Sequence, residues 1–126
     1  MKLDILAFGA HPDDVELGCS GTIAKEISLG KKVGIIDLTR GELGTRGSVA
    51  IRNSESAKAS EILGVTVREN LDMRDGFFLN DEAHQLKIIE MIRKYQPEMV
   101  LCNAISDRHI DHGKRSKLVS NDCFLS

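Results

Sequence analysis

The segment Leu3-Asp4-Ile5-Leu6-Ala7-Phe8-Gly9-Ala10-His11-Pro12-Asp13-Asp14 decides the fold. Residues 3–8 form a short apolar run stopped by Gly9, the pattern of a buried strand. Pro12 then fixes φ where a helix opens, and Asp13 and Asp14 give that helix an acidic first turn. The helix is expected over residues 13–29, with Val15, Ile23, Ala24 and Ile27 on one side and Gly30 as its stop.

The same alternation continues along the chain. Residues 32–39 contain V-G-I-I-D-L, a second strand. Residues 40–48 hold three glycines among polar residues and read as a loop. Ser48 can cap a helix through about residue 63, with Gly64 ending it. Residues 65–71 alternate like a third strand, with Val65 and Val67 on one face, and residues 72–80 are loop. A third helix over 82–95 is built on Leu86, Ile89 and Ile92, and Pro97 ends it. Residues 99–102 form a fourth buried strand, 103–112 a polar loop, and a final helix begins near Gly113. Repeats, low-complexity tracts and linkers are absent. Strands alternating with helices of this length indicate one α/β domain over residues 1–126, a Rossmann-like, mostly parallel sheet flanked by helices.

Composition narrows the function. At 126 residues and 41% hydrophobic the chain can bury one core, and no apolar run approaches the ~20 residues of a bilayer span. The 17 Lys+Arg against 19 Asp+Glu, net −2, argue against nucleic-acid binding, which needs a basic surplus. Four Phe, one Tyr and no Trp make a stacking platform for single strands a poor reading. Cys19, Cys102 and Cys123 are odd in number and widely spaced, which excludes a disulfide scaffold or cysteine zinc knuckle. Asp4 interrupts the opening apolar stretch, so the start reads as a first strand rather than a signal peptide, and a reducing cytoplasm is expected.

Sites in parallel sheets lie at the carboxyl ends of the strands. Polar segments 10–14, 40–48 and 103–112 follow strands here, and the first and last face one another if strands one and four are neighbours. In His11-Pro12-Asp13-Asp14, helix capping accounts for one acid. It accounts for neither His11 nor a second adjacent carboxylate, whose like charge is unfavourable unless a cation is near. The second cluster is Asp107-Arg108-His109-Ile110-Asp111-His112. Of the four histidines, three fall in these two clusters, and His84 lies at a helix start where a surface role is expected. Together the clusters can offer two imidazoles and a carboxylate to one divalent ion, the ligand set of catalytic zinc sites that leave a position open for water. Zinc lowers the pKa of that water from about 15.7 toward ~7, a spare carboxylate can take the proton, and a spare imidazolium can stabilise an oxyanion. Iron(II) suits the same ligands.

These residues resemble the LmbE-like (PIG-L) family of zinc-dependent N-acetylglucosamine deacetylases. The resemblance rests on Ala10-His11-Pro12-Asp13-Asp14 and His109-Ile110-Asp111-His112. It extends through Asp14-Val15-Glu16-Leu17-Gly18, Asp37-Leu38-Thr39-Arg40-Gly41-Glu42, and Arg52 followed by Glu55. The intermediate matches look most like the branch acting on N-acetylglucosaminyl malate in bacillithiol synthesis. The resemblance implies zinc held by His11, Asp14 and His112, with Asp13 as general base. It implies His109 as oxyanion stabiliser or acid, tuned by Asp111, and Arg52 as a substrate contact. Arg40, Glu42 and Arg46 read equally well as solvated charges. The expected reaction is removal of the acetyl group from a small-molecule N-acetylglucosaminide by attack of zinc-bound water.

Two departures accompany the resemblance. Ile110 stands where the family usually has proline, which relaxes the φ that leads to His112. The chain also looks like the N-terminal portion of the deacetylase fold. That leaves a non-catalytic, metal-binding fragment as a second reading, its exposed core favouring a homo-oligomer. A phosphate- or nucleotide-binding module is a third, using Gly9 and the 41–47 loop. It lacks G-x-G-x-x-G and a Walker lysine, and Asp13 with Asp14 would repel phosphate.

Overall fold

Among the described residues, strand β1 (Ile5–Gly9) lies inside a four-stranded parallel sheet and is buried along its whole length. Its neighbours are β2 (Val33–Thr39), with Ile5 opposite Val33 and Gly9 opposite Asp37, and β4 (Met99–Leu101), with Ala7 opposite Leu101. Strand β3 (Val67–Met73) extends the sheet beyond β2, giving the order β3-β2-β1-β4. Helices α1 (Asp14–Ser28), α2 (Val49–Leu63) and α3 (Glu82–Tyr95) make the crossovers. The computed structural model describes residues 1–41, 49–74, 76, 80–102, 119 and 123.

The strand order explains where the helices go. From β1 outward to β2 and β3 the chain moves one way, and after β3 it crosses back to the far side of β1. Parallel crossovers are right-handed, so the reversal sends α3 to the face opposite α1. The two-residue alternation of the strands shows both faces. Ile5, Ala7, Val33 and Ile35 pack with Val15 and Ile23 of α1. Leu6, Phe8, Ile36 and Leu38 pack with Ile88, Met91 and Tyr95 of α3 and with Val119. The reversal point between β1 and β4 is where a doubly wound sheet opens a crevice at its carboxyl edge.

Several details differ from the expectations. The third strand runs to Met73 and starts at Val67, two residues later at each end than its alternation suggested. The polar run Arg68-Glu69-Asn70 sits in the ladder because this is an edge strand, and Met73, opposite Thr39, is only 2% exposed. In α3 the boundaries agree, and of the expected stripe Ile89 is buried and Ile92 packs against the core, but Leu86 does not. Leu86 is 56% exposed, while Ile88, Ile89, Met91 and Tyr95 are buried. Ala24 of α1 faces solvent, and the helix is kinked at Cys19. The fourth strand ends at Leu101 and is half-exposed rather than buried. The stops agree: Gly30 and Gly64 follow α1 and α2 with positive φ. Ser48 and the 103–112 loop lie outside the described residues, as does most of the final helix, of which Val119 and Cys123 are helical. Among the described residues no helix is long and apolar enough to cross a membrane.

Candidate functional site

The chain leaves β1 at Gly9 and turns into α1 within four residues, a turn that carries His11, Asp13 and Asp14. The N–H of Asp14 donates to the His11 carbonyl at 3.2 Å, and the Asp14 carboxylate folds back to accept the His11 N–H at 2.9 Å. This brings His11 Nδ1 and Asp14 Oδ2 to 3.5 Å, with each side chain only 11% exposed. Asp13 holds the N-cap position of α1, at φ 99 and ψ −20, but its side chain makes no capping bond. Its half-exposed carboxylate instead lies 3.5 Å from Arg52 Nη2. Partial burial, followed by the nearby Asp14, pushes the Asp13 carboxyl above the usual carboxylate range, with Arg52 pulling the other way.

Capping therefore does not explain this turn. The acid at the cap position turns away from the helix, and the next acid is drawn under an imidazole in a nearly dry setting. The two donor atoms suit a divalent cation of intermediate hardness. Two ligands about 2.0–2.1 Å from a tetrahedral zinc stand roughly 3.3–3.4 Å apart, close to the separation found here. His11 and Asp14 thus fit as two members of a zinc or iron(II) ligand set. Among the described residues no group of three or more His, Cys, Asp or Glu side chains could hold a metal. His109, Asp111 and His112 lie outside the described residues, as do Glu42 and Arg46. What is described is the route toward them: β4 pairs directly with β1, so the chain departs for residues 103–112 from beside the strand that carries His11.

Arg52 reaches the site from α2. Its Nη1 donates to the Gly41 carbonyl at 3.3 Å and its Nη2 to the Pro12 carbonyl at 3.5 Å. Arg40 bonds Asp72 through Nε and Asn53 through Nη1. It lines a polar cleft of about 300 Å³ with Asn53, Ser56, Asn70 and Pro12. His84, expected at the surface, is only 22% exposed at its side chain and takes a local part: its N–H donates to the Asp81 cap of α3 at 3.0 Å, and its ring bonds the same carboxylate.

One charged cluster went unread in the sequence. Asp37, in the buried strand β2, takes two hydrogen bonds from Arg68, at 2.8 and 2.9 Å. Arg68 also reaches Glu16 at 3.1 Å and Ser60 at 3.2 Å, tying α1, α2, β2 and β3 together. Burial pushes the Asp37 carboxyl up to about 6, against the pull of Arg68. Burial works against the Arg68 cation too, but its hydrogen bonds to Asp37 and Glu16 raise it above its ordinary value. The available signal was an aspartate within an otherwise apolar central strand, which requires a buried cation or donor nearby.

The chain is 37% identical over 116 residues to the uncharacterized deacetylase YaiS of Escherichia coli, a match that covers 86% of this chain and 61% of that protein. A conserved protein from Thermus thermophilus superposes with a TM-score of 0.93 at 41% identity, covering 98% of this chain and 56% of that one. The N,N'-diacetylchitobiose deacetylase from Pyrococcus horikoshii, solved with its inhibitor MPG, gives a TM-score of 0.91 at 28% identity, with 98% of this chain and 50% of that one covered. The chain thus spans half to about three fifths of the length of these proteins. Residues 6–122 match the family described as PIG-L, GlcNAc-PI de-N-acetylase. With the match running from β1 past the 103–112 segment, this chain belongs to the PIG-L family.

Proposed function

We propose that this protein is a metal-dependent amide hydrolase that removes the acetyl group from an N-acetylglucosamine-containing small molecule, such as N-acetylglucosaminyl malate. The observation that carries the reading is the convergence of His11 and Asp14 at 3.5 Å, with the uncapped Asp13 carboxylate next in the chain. Family membership and the deacetylase relatives support the same chemistry. His11, Asp14 and His112 would hold Zn2+, with Fe2+ as the alternative metal. When bound, the metal supplies a Lewis acid that acidifies water and polarises the acetyl carbonyl.

The protein groups supply the rest. Asp13 accepts a proton from the attacking water, as a general base. The C–N bond of the amide breaks as the nitrogen takes up that proton, leaving acetate and a free amine. His109, oriented by Asp111, places positive charge where the carbonyl oxygen becomes an oxyanion.

The test is acetate release from a panel of N-acetylglucosaminides by the zinc-loaded protein and its Asp13→Asn variant. Asn is nearly isosteric but accepts no proton, so kcat should fall about 10²–10⁴-fold while zinc content stays unchanged. Undiminished turnover in Asp13→Asn would remove the general base from the scheme.

A further inference from the structure

The hydrogen bonds around the 10–14 turn close into a ring. Thr39, the last residue of β2, is fully buried. Its N–H and its hydroxyl both donate to the Ala10 carbonyl, at 3.0 and 2.9 Å. The same hydroxyl oxygen accepts the Gly41 N–H at 3.1 Å. The Gly41 carbonyl accepts from Arg52 Nη1, while Arg52 Nη2 reaches the Pro12 carbonyl and the Asp13 carboxylate. The path from Ala10 through Thr39, Gly41 and Arg52 thus returns to Asp13, three residues from its start.

The ring bears on a residue that needs external support. A non-glycine residue at φ 99 is strained, and such strain persists only where the surroundings over-determine it. The Asp13 side chain takes no direction from the helix it begins, since it makes no capping bond. Arg52 therefore sets where that carboxylate stands. Arg52 in turn is seated on Gly41, at φ +66, where a Cβ would lie 3.0 Å from both Arg52 Cζ and Nη1. Only a glycine there leaves both the backbone and the guanidinium unstrained.

We propose that Thr39 and Arg52, acting through Gly41, are positioning residues that hold the Asp13 carboxylate for proton transfer. The inference rests on Asp13 being the proton acceptor. Thr39→Val keeps the shape of the side chain and deletes the hydroxyl, whereas Thr39→Ser keeps the hydroxyl.

The experiment measures kcat, KM and zinc content with N,N'-diacetylchitobiose as probe substrate, together with backbone amide chemical shifts of residues 10–14 in the metal-free protein. Thr39→Val, Gly41→Ala and Arg52→Lys should each lower kcat about 10- to 100-fold, with KM within about twofold and zinc content unchanged. Thr39→Ser should stay within about twofold of wild type in kcat, and its turn amides should not shift, while those of Thr39→Val should. A Thr39→Val protein with wild-type kcat overturns the proposal, as does an Arg52→Lys protein in which KM rises and kcat holds. Should Thr39→Val fail to fold, Gly41→Ala carries the same expectation without removing any group. If the wild-type protein releases no acetate, the deacetylase reading fails by itself, and the amide shifts then decide the ring: unmoved shifts in Thr39→Val overturn it.

Discussion

Replacing Asp14 by alanine is expected to lower zinc affinity by more than ~100-fold and to reduce acetate release to background, while the chain stays folded. The size follows from its place in the site. Groups that merely orient a metal ligand are worth about 10–100-fold in metal affinity, so a direct ligand must exceed that. The Asp14 side chain is 11% exposed and its Oδ2 stands 3.5 Å from His11 Nδ1. Its loss also frees the His11 N–H that it accepts at 2.9 Å. That unsatisfied donor costs about 1–3 kcal/mol, offset in part because a buried charge is removed as well. Zinc titration calorimetry and thermal melts of the same samples separate the two effects. An Asp14→Ala protein that binds zinc as tightly as wild type would remove Asp14 from the ligand set.

The second large effect lies in the fold. Arg68→Met is expected to destabilise the protein by about 3–5 kcal/mol, because it strands the carboxylates of Asp37 and Glu16 without their cation. Those side chains are 3% and 17% exposed, and Arg68 itself is 10% exposed. Breaking a buried pair is costly, whereas replacing both members by neutral groups can be close to neutral. Adding Asp37→Asn to Arg68→Met should therefore recover part of the loss, although Asp37→Asn alone destabilises. Denaturant midpoints of the wild type, both single variants and the double variant test this. A loss under about 1 kcal/mol for Arg68→Met would mean the cluster holds nothing together.

Much of this architecture is legible in the residues, and the exceptions share a cause. Strands β1 and β2 are buried on both faces and read as apolar runs, so their existence followed from composition alone. Helix α3 was found at its observed limits because its apolar spacing and the Pro97 that follows it are local signals. What failed was whatever depends on neighbours. The limits of β3, two residues later than expected, are set by its register on β2, and the choice of Ile88 and Met91 over Leu86 depends on how α3 rolls onto the sheet.

The site divides in the same way. A strand ending in His-Pro-Asp-Asp announces that an imidazole and a carboxylate share one turn, and His11 and Asp14 do converge. The adjacency of strands one and four entered only as a condition, and the pairing of Ala7 with Leu101 meets it. The resemblance implied separate roles for the two adjacent acids, but the direction Asp13 takes could not be read, because it turns toward an arginine 39 residues away in sequence. Nor could the partner of Asp37, since Arg68 reaches it only through the register of β3 on β2.

The most direct test of the metal-centred reading is a crystal structure of the zinc-loaded protein. The expected result is one zinc ion bound by His11, Asp14 and His112, with the Asp13 carboxylate beside the open coordination position. A zinc ion bound elsewhere, or a His112 side chain too distant to share an ion with His11 and Asp14, would contradict it.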